Sequence, residues 1–255
     1  ERPVRGGTGV QRPVVLGSGS VAWREQQVAI MTDKLSGAVS ITRATAQMLL
    51  DFALEEMDSA GTTLLTSLQQ IAREILTAQS GMASLITLFN GVFSAVAAET
   101  DSGAMTQALR ETVRAFLQEQ DDGRETVCRK AAALIPAQAS ILTHSASSTV
   151  FNTIMYAKNA GREPRVYNME GRPLLEGRWQ AAELARQGIE VTVSVDSAAY
   201  AVLQEVELVL VGVDSLTEAG VVSKIGTAGL AVCAQSLGIP CYLLAHTSKV
   251  WPAVL

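Results

Sequence analysis

Residues 207–214, Glu207-Leu208-Val209-Leu210-Val211-Gly212-Val213-Asp214, decide the fold. A short run of leucine and valine that ends on an aspartate predicts a central strand buried on both faces, the environment of a parallel sheet. Four more β-rich runs flank it in the chain: ASILT at 139–143, RVYN at 165–168, EVTVSV at 190–195 and PCYLLA at 240–245. Helical candidates fill the intervals at 149–159, 174–187, 198–204 and 225–237, and this alternation is the mark of βα units. Gly161, Gly188 and Gly238 each fall just past one of these helices, where a left-handed cap suits glycine. Residues 136–255 therefore read as a Rossmann-like α/β ligand-binding domain.

Each of the five strands is followed by polar residues: His144-Ser145-Ala146-Ser147-Ser148, Glu170-Gly171-Arg172-Pro173, Asp196-Ser197, Asp214-Ser215 and His246-Thr247-Ser248-Lys249. Parallel strands bring these ends to one edge, and open α/β sheets bind ligands there, near the point where strand order reverses. Two segments lead into helices, 145–149 and Ser223-Lys224-Ile225-Gly226-Thr227. Free backbone N–H groups and the helix dipole at such places favour an anion such as phosphate. Taken alone, each segment reads as an ordinary N-cap or a solvated lysine; their convergence with Asp214 is what points to a site. A carboxylate at the mouth of a buried strand is expected to be partly desolvated, which raises its pKa and suits it to general acid or base work. A helix cap or a partner for Lys224 is the competing role for Asp214. Glu170 and Arg172 read as an ion pair fixing the turn before Pro173.

Upstream of Pro136 the periodicity changes. Ile41, Ala44, Thr45, Met48, Leu49 and Phe52 recur at intervals of three and four, which predicts a helix beginning after about Asp33. Further helices are expected at 62–78, 82–98, 104–119 and 124–134, with Gly61, Gly81, Gly103 and Gly123 as breaks. Residues 31–135 thus form a helical domain, and residues 1–30, a mixture of Gly, Pro, Ser and Arg, read as an irregular extension. GGTG at 6–9 and GSGS at 17–20 lack the Lys-Ser/Thr of a phosphate loop.

The chain of 255 residues is 48% hydrophobic, yet its apolar runs break well before the ~20 residues of a membrane span. No secretory leader pattern opens it. Cys128, Cys233 and Cys241 are odd in number and scattered, which predicts small buried hydrophobes in a reducing compartment. With only His144 and His246 a His-rich metal site has no basis, and a net charge of -5 spread along the chain leaves no footprint for nucleic acid. The expectation is a soluble cytoplasmic protein with no metal, cofactor, membrane or direct nucleic-acid partner.

The polar strand ends also carry a resemblance. ILTHSASSTV at 141–150, EGRPLLEGR at 170–178, VTVSVDSAA at 191–199, LVLVGVDSLTEAGVVSKIGT at 208–227 and HTSKVWP at 246–252 resemble one family. It joins the regulatory alpha, beta and delta subunits of initiation factor 2B with ribose-1,5-bisphosphate isomerase and methylthioribose-1-phosphate isomerase. SGAVSITRATAQMLLDFA at 36–53 extends the similarity into the helical half. The resemblance implies a helical N-terminal domain, a Rossmann-like C-terminal domain, and a homodimer or higher homo-oligomer built through the latter. It implies a phosphorylated sugar or nucleotide-derived ligand, and in the enzymes aldose-to-ketose isomerisation without a cofactor. Asp214 matches the enzymes' catalytic aspartate, and Lys224 the lysine of a substrate-binding Asn-Lys pair. Ser36, Gly37, Ala38 and Ser223 fall at further positions that the resemblance marks as substrate-binding; Glu176, within the matching stretch, and the helix start at Gly226 and Thr227, suited to phosphate or sugar oxygens, complete the candidate substrate-binding residues.

Several matches carry different chemistry. Ser145 stands where the enzymes have their catalytic cysteine, and Ser223 where they have asparagine. Ser36-Gly37-Ala38 replaces an Arg-Gly-Ala phosphate grip, and a second arginine is missing near Ser80-Gly81-Met82. Charge-assisted clamps of this kind are worth about 1.5–3 kcal/mol each. A thiol of pKa about 8.5 exchanges protons near neutrality, whereas a serine hydroxyl needs a neighbouring base. His144 adjoins Ser145, but successive residues of a strand point to opposite faces, which argues against that pairing. Two expectations follow: a sugar-phosphate binder of the isomerase kind, or a regulatory scaffold without turnover.

Overall fold

The computed structural model describes residues 22–55 and 61–251. The glycine-rich segments at 6–9 and 17–20 lie outside the described residues.

Five helices come first: α1 (Trp23–Thr32), α2 (Ala38–Glu55), α3 (Gly61–Ala78), α4 (Ala83–Ala97) and α5 (Ser102–Ala132). Helix α1 corrects the reading of residues 1–30 as irregular throughout. It escapes a periodicity search because half of its buried face is polar: Trp23, Gln26, Gln27 and Ile30 turn inward. Gln26 donates to Asp51 at 2.8 Å and Gln27 to Glu74 at 2.7 Å, while Trp23 meets Phe52 edge-on with centroids 5.1 Å apart. The large side chains of α2, α3 and α4, among them Met48, Phe52, Leu68, Ile75, Leu88 and Phe89, form one apolar core.

Helix α5 corrects a second expectation, because it runs through Gly123 without a break. Asp101 caps its start by accepting from the Ala104 N–H at 2.9 Å. Gly123 is where the helix presses on another segment: a Cβ there would lie 1.9 Å from Nε2 of His246. Gly123→Ala should therefore lower the melting temperature by a few degrees, overpacking of about 1–3 kcal/mol outweighing about 1 kcal/mol of gained helix propensity. In a His246→Ala background the same substitution should raise it, and thermal unfolding of the four proteins of this cycle checks both signs.

The second half alternates as its sequence predicts: β1 (Ser140–His144), α6 (Ser148–Asn159), β2 (Arg165–Met169), α7 (Glu176–Arg186), β3 (Glu190–Ser194), α8 (Ala199–Leu203), β4 (Leu208–Gly212), then a hairpin of β5 (Ser215–Thr217) and β6 (Gly220–Val222), α9 (Thr227–Ser236) and β7 (Cys241–Leu244). The main sheet has the order β3-β2-β1-β4-β7 with every pairing parallel. In register, Ile141 faces Val166 on one side and Leu208 on the other. All of β1 and residues 208–211 of β4 are buried, as a strand covered on both faces must be. One face packs Ile141, Val150, Ile154 and Leu210 together; the other packs Leu142, Val209, Leu203 and Leu230. The strand order reverses between β1 and β4, which sets their carboxyl ends on either side of a crevice.

Candidate functional site

Polar contacts between the halves fix what faces that crevice. Ser215, just past β4, accepts from the Ala83 N–H at 2.8 Å and donates to the Gly81 carbonyl at 2.6 Å, which seats the start of α4 beside the strand end. The 3₁₀ turn Thr247–Lys249 after β7 is held from two helices: Thr87 of α4 donates to the Ser248 carbonyl at 3.2 Å, and Gln120 of α5 to the Ser248 hydroxyl at 2.5 Å.

A cavity of about 140 Å³ results, with walls from both halves. Lys34, Ser36, Gly37, Ala38 and Met82 line the helical side; His144, Ser145, Glu176, Asp214, Ser223, Lys224 and Lys249 line the sheet side. Ser145 and Asp214, 69 positions apart by number (214 − 145), thus share one enclosure. Ser145 is a non-glycine residue at φ 65°, and Gly171 packs so tightly beneath it that a Cβ there would come within 2.9 Å of the Ser145 Cα. His144 turns away from Ser145: its Nδ1 is 2.9 Å from the Thr227 hydroxyl and its Nε2 is 3.6 Å from Asp196.

The remaining candidates divide. Ser36 and Gly37 precede α2, and Ala38 opens it, all three at the cavity wall. The Ser223 hydroxyl is spent on the Gly212 carbonyl at 2.7 Å. Gly226 and Thr227 are not among the residues that line this cavity. Gly226 turns the chain into α9 at φ 99°, and Thr227 is committed to His144. Lys224 does not pair with Asp214 as one alternative had it; its ammonium bonds Glu176 at 2.7 Å. Asp214 caps no helix either, since the chain passes into the β5–β6 hairpin and its N–H donates to the Val222 carbonyl. Glu170 pairs with Arg178 at 2.6 Å rather than with Arg172, because the first turn of α7 brings Arg178 back over the end of β2.

Burial pushes the Asp214 carboxyl above the usual aspartate range, and the positive charges of Lys249 and Lys224 pull it partway back. Burial also lowers the imidazoles of both His144 and His246 below their ordinary 6.5, against the opposing pull of Asp196 and Glu119 respectively. A histidine depressed in the folded state gives stability that is complete above about pH 6.5 and is lost as the pH falls below it, because the unfolded chain then binds more protons. Urea midpoints should accordingly fall between pH 7.5 and 5.5. Asp214 acts with the opposite sign, so the comparison of parent with His144→Gln isolates the imidazole: the variant should show the shallower fall.

Two features escaped the sequence reading. Lys249 is buried in the cavity wall, although its segment was visible as a polar strand end. A second cavity of about 720 Å³ adjoins the first and shares Leu35, Ser36, Gly37, Ala146, Ser148 and Glu176 with it. Phe151, Leu174, Leu175 and Trp179 give that cavity an apolar wall.

Comparison with known proteins gives a consistent grouping. A family model described as the initiation factor 2 subunit family matches residues 34–255. The methylthioribose-1-phosphate isomerase of Pelotomaculum thermopropionicum is 33% identical over 87% of this chain, which spans 65% of that protein's length. The ribose 1,5-bisphosphate isomerase of Archaeoglobus fulgidus is 29% identical over 89% of this chain and 71% of its own. Among solved structures, the translation initiation factor eIF-2B of Pyrococcus horikoshii OT3 superposes with a TM-score of 0.82 at 27% identity, covering 91% of this chain and 81% of that one.

Proposed function

We propose, since this chain belongs to the initiation factor 2 subunit family, that it binds an aldose phosphate across the two adjoining cavities and isomerises it to the ketose. One observation carries the reading: a partly buried carboxylate, Asp214, lines a cavity shared with Ser145 and lysines from both halves. The small cavity suits the phosphorylated, reacting end, and the larger one the remainder of the sugar. Isomerisation needs a base to take a proton from the sugar and a donor to return one; Asp214 fills the first role and Ser145 stands at the second. Lys224, held by Glu176, and the α2 entry at Ser36-Gly37-Ala38 contact sugar or phosphate oxygens.

A second reading, ligand binding without turnover, is favoured by Ser145, whose hydroxyl is a far poorer proton donor than a thiol. Incubation with ribose 1,5-bisphosphate and with methylthioribose 1-phosphate, followed by NMR for ketose, separates the two. Turnover that rises on Ser145→Cys supports an isomerase. No ketose from either substrate by parent or variant, together with ligand-induced thermal stabilisation, leaves the binding role. We further propose a homodimer or higher homo-oligomer, because α9 carries no charged residue and exposes Val232 (65%), while β7 exposes Leu243 (45%). Light scattering tests it.

A further inference from the structure

Lys249 has no part in the scheme above. It is only 5% exposed and lies in the wall of the small cavity. Its ammonium donates to the carbonyl of Val213, the residue before Asp214. It is not free to choose that position, because the Thr247–Lys249 turn is clamped through Ser248 by Thr87 of α4 and Gln120 of α5. Of the three lysines at the cavity, Lys34 is exposed and donates to the carbonyls of Met31 and Ala78, and Lys224 is bonded to Glu176. Lys249 alone is a buried cation with no ion pair among the described residues. Such a charge is costly unless an anion compensates it: burial lowers the pKa of the Lys249 ammonium, and the Asp214 carboxylate opposes that lowering.

We propose that Lys249 is a positioning residue for Asp214: its clamped positive charge keeps the Asp214 carboxylate ionised inside the cavity, ready to accept a proton at neutral pH. The inference rests on reading Asp214 as the proton acceptor of the site. The other titratable groups that face the pair are Lys34 ahead of α2, His144 at the end of β1, Glu176 at the start of α7, Lys224 ahead of α9, and His246 after β7 with Glu119 of α5 beside it. Among these, Lys224 is the one that acts on Asp214 with the same sign, and its charge is shared with Glu176. Burial lifts the Asp214 carboxyl; the lysine opposes that lift.

The test reads the titration of Asp214 itself, by NMR of protein labelled with ¹³C in the aspartate carboxyls, with Asp214→Asn assigning the resonance. Lys249→Met should move the Asp214 midpoint upward, and Lys249→Arg, which keeps the charge, should leave it near that of the parent. For turnover, Lys249→Met should lower kcat/KM at the acid end of the pH profile and leave it near that of the parent at the alkaline end. An Asp214 midpoint unmoved in Lys249→Met overturns the inference whether or not ketose is formed. A moved midpoint in proteins that form no ketose upholds the coupling and counts against the isomerase reading alone. Should Lys249→Met fail to fold, the reciprocal measurement applies: Asp214→Asn should lower the midpoint of the Lys249 ammonium, read from ¹³C-labelled lysine. An unchanged ammonium midpoint overturns the inference equally.

Discussion

Asp214→Asn is expected to reduce turnover of an aldose phosphate by about 10²–10⁴-fold, the usual worth of a general base. The substitution keeps the shape of the side chain and removes only its capacity to take a proton. Its backbone is anchored independently, through the N–H to the Val222 carbonyl, so the strand end and hairpin remain in place. Ligand affinity should change little, whereas the melting temperature should fall, because the substitution leaves the buried Lys249 charge without its compensating carboxylate. Steady-state kinetics with a parallel binding isotherm decides the matter. If the variant retains turnover within about threefold, Asp214 is not the base.

Gly177→Ala is expected to be the most damaging small substitution. Gly177 is the second residue of α7, and a Cβ there would sit 1.9 Å from the Met169 carbonyl oxygen and 3.0 Å from the Glu170 carbonyl carbon. Both obstacles are backbone at the end of β2, so no rotamer change relieves the contact, and α7 has to back away from the sheet. Overpacking that a side chain cannot relieve costs about 3 kcal/mol or more, which for a chain of this size is roughly 6–12 °C of melting temperature. The retreat also carries Glu176 away from Lys224 and Arg178 away from Glu170. Affinity for a sugar phosphate should therefore fall together with stability. Thermal unfolding and a binding titration of the same preparation test this, and an unshifted melting temperature would refute the packing argument.

The parts of the fold legible in the sequence are those that local pattern dictates. Leu208 to Val211, a short run of leucine and valine, reads as a buried strand from its own residues. What was not legible depends on partners distant in the chain. Gln26 and Gln27 look solvent-facing until Asp51 and Glu74 are brought against them. Gly123 looks like a break until His246 fills the space beside it. The β5–β6 hairpin consists of two three-residue strands, too short for a period to show. The candidate site follows the same rule. Asp214 and Ser145 were visible as strand ends, because parallel strands must bring their ends together. The Glu176–Lys224 bond spans 48 positions and joins the start of α7 to the segment ahead of α9, an approach no local signal encodes.

Within one turn of α5, Asp121 grips Arg43 of α2, Gln120 holds the turn that carries Lys249, and Gly123 seats His246. The far walls of the cavity are thus gauged by a single stretch of helix, whose rise of about 1.5 Å per residue is set by covalent geometry. An insertion in that one turn would displace both walls together.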